Sequence, residues 1–287
     1  MAPGKDLKRR MLGGIYVDWG RLKSIFIIAF LILDIFLLTQ LMNKQKDNKL
    51  EEKADVSLEE NLNNAGIDYS GIPKDPIKDQ YMSANTKVFS DKEVEKLKKD
   101  QSVTVVDGSI IYSELAHPVK LPDKLNIQEL EQYVKNNVLY GDQYGFGNYD
   151  EEAGTITFYQ KHQDKFLFKN RSAHLIFYVK KDKEIYSYEQ TMLEKIEPIS
   201  EMEEILPAIR AVEVIFRNRL LKPDSKIDKA ELGYYTVVNM EASQVLTPTW
   251  HLVVEHEGEK ESVLVNAFEG QVIQENTGNQ KTLFEVN

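Results

Sequence analysis

An almost unbroken apolar run lies close to the N-terminus, from Ser24 to Met42, and Asp34 is the only charged residue within it. As a helix that rises about 1.5 Å per residue, a run of this length spans roughly the 30 Å hydrocarbon core of a bilayer. No polar face interrupts it between Ile25 and Leu38, as water would require of a helix on a soluble core. The pattern therefore predicts a transmembrane helix over residues 24–42.

Basic residues on both sides of this run bear on its orientation. Six Lys or Arg residues precede it and four Lys residues follow it closely, so the positive-inside rule favours a cytoplasmic N-terminus. A cleaved signal peptide is the alternative, but the run exceeds a usual signal core and no A-x-A-like site follows it. We predict an uncleaved single-pass anchor in the cell membrane, with residues 1–23 cytoplasmic and the C-terminal domain extracytoplasmic.

Asp34 lies near the middle of the predicted anchor, where an ionisable group costs about 2.5 to 3.5 kcal/mol on insertion scales. Such a group usually faces a partner or stays protonated, and both alternatives remain open here. If Asp34 faces a partner helix, the residues three, four and seven positions away share its face. The predicted partner-binding face consists of Ile27, Phe30, Leu31, Asp34, Leu37, Leu38 and Leu41.

Residues 43–80 are predicted to form a charged stalk and linker. The sparse apolar residues between Gln40 and Asn64 are compatible with a continued helix that ends at Gly66 or with a flexible linker. Glycine and two prolines between residues 71 and 76 then indicate a loop.

From residue 81 the pattern turns to short elements, which open a first α+β unit predicted over residues 81–195. Ser90, with Glu93 three residues later, has the spacing of a capping box and predicts a helix to about Lys99. Asp107-Gly108 lies between two apolar segments, 103–106 and 109–115, and this dipeptide is a strong signal for a β-hairpin.

A helix followed by three strands is then predicted twice. The first copy has a helix from Asn126 to about Leu139, and strands at 155–161, 173–180 and 185–192. The inward face of this helix is predicted to carry Ile127, Leu130, Val134 and Val138.

The second copy opens the second unit, predicted over residues 196–275. Ser200 is the predicted cap of a helix to Leu221, and Pro207 within it predicts a kink or a later start. Strands are predicted at 231–240, 249–255 and 261–266. The fold class is therefore α+β, in which tandem units each have an antiparallel sheet covered on one face by a helix. Residues 276–287 are predicted to form a C-terminal tail.

The composition narrows the range of functions. Beyond residue 42 the chain carries 30 Lys or Arg against 43 Asp or Glu, a formal net charge of −13. Such a domain repels nucleic acid and other anionic polymers. The chain has no cysteine, which excludes disulfides, thiolate nucleophiles and cysteine-ligated metals.

The sequence contains no recognisable catalytic or metal-binding motif. The closest histidine pair, His251 and His256, is five residues apart on a predicted strand, so the two side chains face opposite sides. Residues 148–152 resemble a calcium loop, but the glycine and the distal glutamate of an EF-hand do not fit. We therefore predict no enzyme activity, no cofactor and no metal. The aromatic segment 140–149 is either a protein-binding patch or a loop folded onto its own sheet.

Three stretches carry a resemblance to a known family. They are Val17–Ile27, with its D-W-x-R-L-K start, Leu33–Phe36 in the apolar run, and the terminal segment from Trp250 to Ile273. Together with the acidic domain, they resemble the YycI (WalI) family over residues 17–275. The segment Asn266–Gly270 is also similar to PepSY-type modules. Family members usually begin at Met-Asp-Trp, so the resemblance predicts a start at position 17 behind an upstream extension.

The resemblance implies a YycH-like or PepSY-like fold and a non-enzymatic, membrane-anchored regulator of a YycG/WalK-type sensor histidine kinase that controls cell-wall metabolism. Its implied partners are that kinase and the sister protein YycH, through transmembrane and extracytoplasmic contacts. It also supports the extracytoplasmic placement of the C-terminal domain. The alternative is an extracytoplasmic PepSY-like binding module that inhibits a secreted peptidase or binds an envelope ligand.

Overall fold

The structure is a computed structural model, and it describes Lys23 and residues 26–39, 58–73, 75–97, 99–239 and 243–273. The chain divides into two compact units, residues 1–61 and 62–287. Residues 26–39 form helix α1, and residues 58–64 are helical up to a turn at Gly66, whose φ is 70°. Within the described part of the chain, no helix is both long and apolar enough to cross a membrane.

Both ends of the predicted anchor, Ser24-Ile25 and residues 40–42, lie outside the described residues, as do residues 43–57 of the predicted stalk. The transmembrane span therefore stays a prediction.

The second unit consists mostly of antiparallel strands, and beyond residue 64 its described residues form three short helices. The helices are α2 (Asp91–Val94), α3 (Ile127–Asn137) and α4 (Ala208–Arg217), and a 3₁₀ turn covers Gly141–Gln143. The strands are β1 (Lys78–Asp79), β2 (Met82–Thr86), β3 (Gln101–Val106), β4 (Ile110–Lys120), β5 (Tyr144–Asp150), β6 (Thr155–His162), β7 (Lys165–Phe166), β8 (His174–Val179), β9 (Glu184–Gln190), β10 (Leu193–Pro198), β11 (Glu203–Glu204), β12 (Lys226–Asn239), β13 (Ser243–His256), β14 (Glu259–Asn266) and β15 (Val272–Ile273).

Seven strands form one antiparallel sheet in the order β3-β4-β9-β8-β6-β5, with β7 paired to β6. The predicted hairpin is confirmed: Asp107 and Gly108 both have positive φ, at 50° and 70°, and join β3 to β4. Helix α3 begins where predicted, because the side chain of Asn126 accepts hydrogen bonds from two backbone N–H groups of its first turn. Its residues Leu130 and Val134 pack in the same core as the sheet.

Strand β13 organises the other sheet. It pairs along one edge with β12, and along the other with β2 at its start and β14 at its end. Strand β10 extends the sheet from β2, and β15 extends it from β14. Helix α4 lies next to this sheet, and the indole N–H of Trp250 donates to the carbonyl of Leu206 at 2.7 Å. The prediction of an α+β chain with antiparallel sheets is confirmed.

The predicted start of the second helix, directly after Ser200, is wrong. Residues Glu203–Glu204 form β11 against β1, and α4 begins at Ala208 with Pro207 as its N-cap. The hydroxyl of Ser200 accepts from the backbone N–H of Tyr81 and caps no helix. The alternative of a later start at the proline is therefore the one observed, because proline has no N–H and disfavours helical backbone before it.

Two further differences concern single elements. Ile127 was predicted to face inward, but 43% of its surface is exposed. It is the first residue of α3, and helical side chains point toward the N-terminus, so it extends past the end of the helix. Strand β2 precedes residue 195 and nevertheless pairs in the sheet of β13. The predicted domain boundaries stay a prediction.

Candidate functional site

The seven-stranded sheet has two chemically different faces, and strand alternation sets them apart. On β8, Leu175 and Phe177 are fully buried in the core shared with α3. The alternate residue Tyr178 lines a groove on the other face, with a volume of about 630 Å³. Strands β3, β4, β8 and β9 form this groove, which we call the tyrosine groove. Its lining residues are Ser102, Thr104, Val106, Tyr112, Ser113, Glu114, Tyr178, Tyr186, Ser187 and Tyr188.

Strand register arranges the floor of the tyrosine groove in two rows. In one row, Ser102 lies opposite Glu114, which lies opposite Ser187 and then Tyr178. The neighbouring row runs from Thr104 through Tyr112 and Glu189 to Ile176. Small side chains thus occupy the edge strand β3, and large aromatic or acidic side chains stand on the strands behind it. The groove is therefore open toward the edge of the sheet.

Glu189 is the centre of a hydrogen-bonded cluster beside the groove. Its carboxylate lies 2.9 Å from Nε2 of His174, and the hydroxyls of Tyr112 and Tyr178 also donate to it. Burial acts to raise the pKa of Glu189, but these hydrogen bonds outweigh it, and the pKa lies below its ordinary value. The carboxylate is therefore ionised at neutral pH and fixes the orientation of both tyrosines.

The pKa values of the two tyrosines shift in the opposite direction to the pKa of Glu189. Burial, with the charge of Glu189 second, raises the pKa of Tyr112 and Tyr178 to about 12. Both phenols stay neutral under physiological conditions and act as hydrogen-bond donors. Glu189 is ionised and already accepts hydrogen bonds from three partners, and two of these partners are neutral phenols. This arrangement suits ligand binding better than general acid or base catalysis.

A second set of contacts fixes the edge strand β3 beneath the groove. Gln101 accepts from the hydroxyls of Ser113, at 2.6 Å, and Tyr188, at 2.8 Å. Its amide then donates to the carbonyl of Asn137, at the end of α3, at 3.0 Å. By strand alternation these three side chains point toward α3, so the bonds join β3 to β4, β9 and the end of α3 on the covered face, and the position of β3 depends on α3.

A different carboxylate lies buried between elements of the two sheets. Asp79 is 2% exposed, and its oxygens accept from Nζ of Lys165 at 2.7 Å and from the hydroxyl of Tyr234 at 2.8 Å. Lys165 belongs to the sheet of β6 and Tyr234 to the sheet of β13. This cluster has little solvent access, and we assign it to stability.

Six of the seven residues predicted to bind a partner lie on α1 in the first unit, whereas the residues that line the tyrosine groove belong to the second unit. Among them, Ile27, Phe30, Leu31, Leu37 and Leu38 are between 54% and 65% exposed, and Asp34 is exposed as well. Leu41 lies outside the described residues. The partner-binding role of this face stays a prediction.

Other candidates from the sequence have structural explanations. The aromatic segment folds onto its own sheet as β5, where the hydroxyl of Tyr144 donates to the carbonyl of Thr191 and the ring of Phe146 packs edge-on against Phe158. His251 lies 2.6 Å from the hydroxyl of Ser262. Within the described ranges, no three His, Cys, Asp or Glu residues form a group able to hold a metal.

Sequence reasoning missed the cluster of His174, Tyr112, Tyr178 and Glu189. The available signal was aromatic and acidic residues at the outward positions of alternating strands, such as Tyr112 and Glu114 on either side of Ser113. This signal shows that a face is not covered by apolar packing, but it gives no cross-strand register.

Comparison with known proteins identifies one sequence family. The sequence model of the family described as YycI protein matches residues 45–268. No curated protein matches the chain. A crystal structure of an uncharacterised protein from Eubacterium rectale matches with 11% identity and a TM-score of 0.43, covering 72% of this chain and 89% of that one.

Two further solved structures match at similar levels. YycH from Bacillus subtilis matches with 14% identity and a TM-score of 0.38, covering 67% of this chain and 53% of that one. The C-terminal domain of Bacillus megaterium YpeB matches with 8% identity and a TM-score of 0.36, covering 72% of this chain and 92% of that one.

Proposed function

The chain is a member of the YycI protein family, and on that basis we propose that it is a non-enzymatic, membrane-anchored regulator of a YycG/WalK-type sensor histidine kinase. In this proposal it acts with YycH on a kinase that controls cell-wall metabolism. The observation that carries the proposal is the family match over residues 45–268.

The proposed anchor is the apolar run 24–42, with the N-terminus cytoplasmic and the second unit extracytoplasmic. Large apolar side chains on α1, from Phe26 to Leu38, are about half exposed or more, and lipid or a partner helix would remove them from water. This exposure supports the proposal, because an isolated helix in water gains nothing from such a surface.

The mechanism that we propose is a difference in contact energy between two kinase states. A regulator that binds both states equally shifts nothing, so its helix must contact one arrangement of the kinase helices better than the other. Asp34 is the one ionisable residue of the apolar run. An interhelical hydrogen bond in a bilayer contributes about 0.6 to 2 kcal/mol, which changes the ratio of two states roughly threefold to thirtyfold.

Replacement of Asp34 tests this mechanism. Asp34→Leu removes the hydrogen-bonding group and should change the output of a reporter for the kinase's regulon, at unchanged abundance of the protein in the membrane. Asp34→Asn is the matched control, since it keeps a hydrogen-bonding side chain and should retain most of the wild-type output. Equal output from wild type and Asp34→Leu would remove Asp34 from the mechanism.

The tyrosine groove favours a second candidate function, an extracytoplasmic binding module that acts on a secreted peptidase or an envelope ligand. The two candidates differ in their need for the anchor. Under the first, the segment Met1–Gln45 crosslinks to the kinase in cells and shifts the reporter. Under the second, this segment is inert and a secreted form that begins at Leu50 retains the activity.

A further inference from the structure

The tyrosine groove has an unbalanced charge. Glu114 is exposed on its floor, Glu189 lies in the next row, and no Lys or Arg is among the lining residues. The rings of Tyr112, Tyr178 and Tyr186 line the same groove, and the hydroxyls of Tyr112 and Tyr178 donate to Glu189. Carboxylates with aromatic rings attract cations, whereas anionic ligands would be repelled.

The rim of the groove already contains one such contact. Nζ of Lys180 lies 5.5 Å from the ring centroid of Tyr186, within the range of a cation–π interaction. The aromatic ring of Tyr186 at the groove therefore already binds a cation, the ammonium group of Lys180. The acidic and aromatic side chains closer to β3 have no equivalent basic residue among the residues that line the groove.

The edge of the sheet adds a peptide-specific element. Strand β3 ends the strand order, and no described strand pairs with its outer edge. A strand added along this edge would form main-chain hydrogen bonds and direct every second side chain toward the groove. Ser102 and Thr104 are small, so a long side chain from the added strand can pass over them.

The reach of such a side chain matches the register of the sheet. Strands are spaced about 4.8 Å apart, which places an added strand about 10 Å from β4. The extended stem of Lys or Arg and the side chain of Glu114, opposite Ser102, together bridge this distance. The same holds two residues away, where Tyr112 lies opposite Thr104.

We propose that the tyrosine groove and the free edge of β3 together bind an extended segment of a partner protein that presents Lys or Arg at alternate positions. This inference rests on the proposed function, because it treats the groove as a contact with a signalling partner. It deepens that function by stating the chemistry of the partner segment. A basic segment would also complement the acidic charge of the domain, which is −13 beyond residue 42.

Peptide binding to the full-length protein in detergent micelles tests the inference. The probe is acetyl-Thr-Lys-Thr-Lys-Thr-Lys-Thr-amide, measured by isothermal titration calorimetry at low ionic strength. One comparison peptide replaces each Lys by Glu. The other keeps the Lys residues and carries N-methyl groups at alternate backbone positions. We expect the Lys peptide to bind at least about tenfold more tightly than either, because each comparison peptide removes one of the two required features.

Variants of the groove locate the binding site. Glu114→Gln should weaken binding of the Lys peptide about fivefold, and Ser102→Arg, which introduces a cation into the groove, at least about tenfold. Glu261→Gln is the matched control, since Glu261 is an exposed strand carboxylate of the other sheet, and it should bind as wild type does.

Absence of Lys-peptide binding, equal affinity for the Lys and Glu peptides, or equal effects of Glu114→Gln and Glu261→Gln would overturn the inference. None of these results bears on the kinase reporter, which tests the proposed function separately. A reporter that does not respond to the protein, beside intact peptide binding, would refute the kinase role and leave the groove as a peptide-binding site.

Discussion

Adjacent residues of β8 show how differently the two faces of the seven-stranded sheet are used. Phe177 is fully buried and lies within 6 Å of the rings of Phe158 and Tyr188, at 5.9 and 5.5 Å. Its neighbour Tyr178 faces the tyrosine groove and donates a hydrogen bond to Glu189. Packing against α3 thus stabilises the sheet from one side, and this leaves the other side available for polar, aromatic side chains that bind partners.

The largest expected effect is on the covered face. Phe177→Ala should lower the free energy of unfolding by about 4 kcal/mol, because it removes a ring from a close-packed core and leaves a cavity. Urea denaturation of the full chain in micelles, followed by near-UV circular dichroism, measures the change.

Tyr178→Phe is the control on the opposite face of the same strand. It keeps the ring and removes one of the donors to Glu189, so its effect should stay near 1 kcal/mol. Similar destabilisation by both substitutions would contradict the division into a packed face and a binding face.

Loss of the buried carboxylate of Asp79 should have the second-largest effect on stability. Asp79→Ala leaves Lys165 and the hydroxyl of Tyr234 without their acceptor and should cost about 3 kcal/mol of stability. The same urea titration measures it. Asp228→Asn, which removes the exposed partner of Lys260, is the matched control and should leave the denaturation midpoint unchanged. A midpoint for Asp79→Ala equal to wild type would show that this cluster does not hold the two sheets together.

Glu189 should have a smaller effect that depends on pH. Glu189→Gln replaces a carboxylate that accepts charge-assisted hydrogen bonds and should cost about 1.5 kcal/mol at pH 7. Because the pKa of Glu189 is lowered by folding, its contribution is present above the ordinary carboxyl pKa of 4.5 and is lost as the pH falls through the lowered value. The difference between wild type and variant should therefore shrink as the pH falls below 4.5, whereas a constant difference would show that the ionised carboxylate of Glu189 does not contribute to stability.

The smallest effect on stability is expected at the first turn of α3, where the covered face of the sheet ends. Ile127→Lys should change stability by less than about 0.5 kcal/mol, because Ile127 is 43% exposed at the first turn of α3. Leu130→Lys, three residues further on the buried stripe, is the comparison and should prevent stable packing of α3. Strong destabilisation by Ile127→Lys in thermal unfolding would extend the covered face to the N-terminus of the helix.

The local fold could be predicted where one segment determines its own structure. Ser90 and Ser200 both precede a glutamate by three residues, yet only Ser90 forms the capping box, with its N–H donating to Glu93 at 2.8 Å. Pro207 makes the difference, because it prevents a helix from running through it and the intervening residues pair with β1 instead. The pairing of β2 with β13, across many residues, left no local signal.

The candidate site was less predictable than the fold. Tyr112, Tyr178 and Glu189 come from three strands, and only the register of β4, β8 and β9 brings them together. A one-residue shift in any pair would direct one of them to the core. The alternation of each strand indicates an uncovered face, but the cluster depends on contacts between distant segments.

The central claim is that this member of the YycI family regulates a sensor kinase without catalysing a reaction. The most direct test measures autophosphorylation of a YycG/WalK-type kinase in lipid nanodiscs, with YycH, in the presence and absence of the full chain. The account predicts a rate changed at least about fivefold, in line with the lower end of allosteric coupling energies, and co-purification of the chain with the kinase. An unchanged rate without co-purification would contradict it.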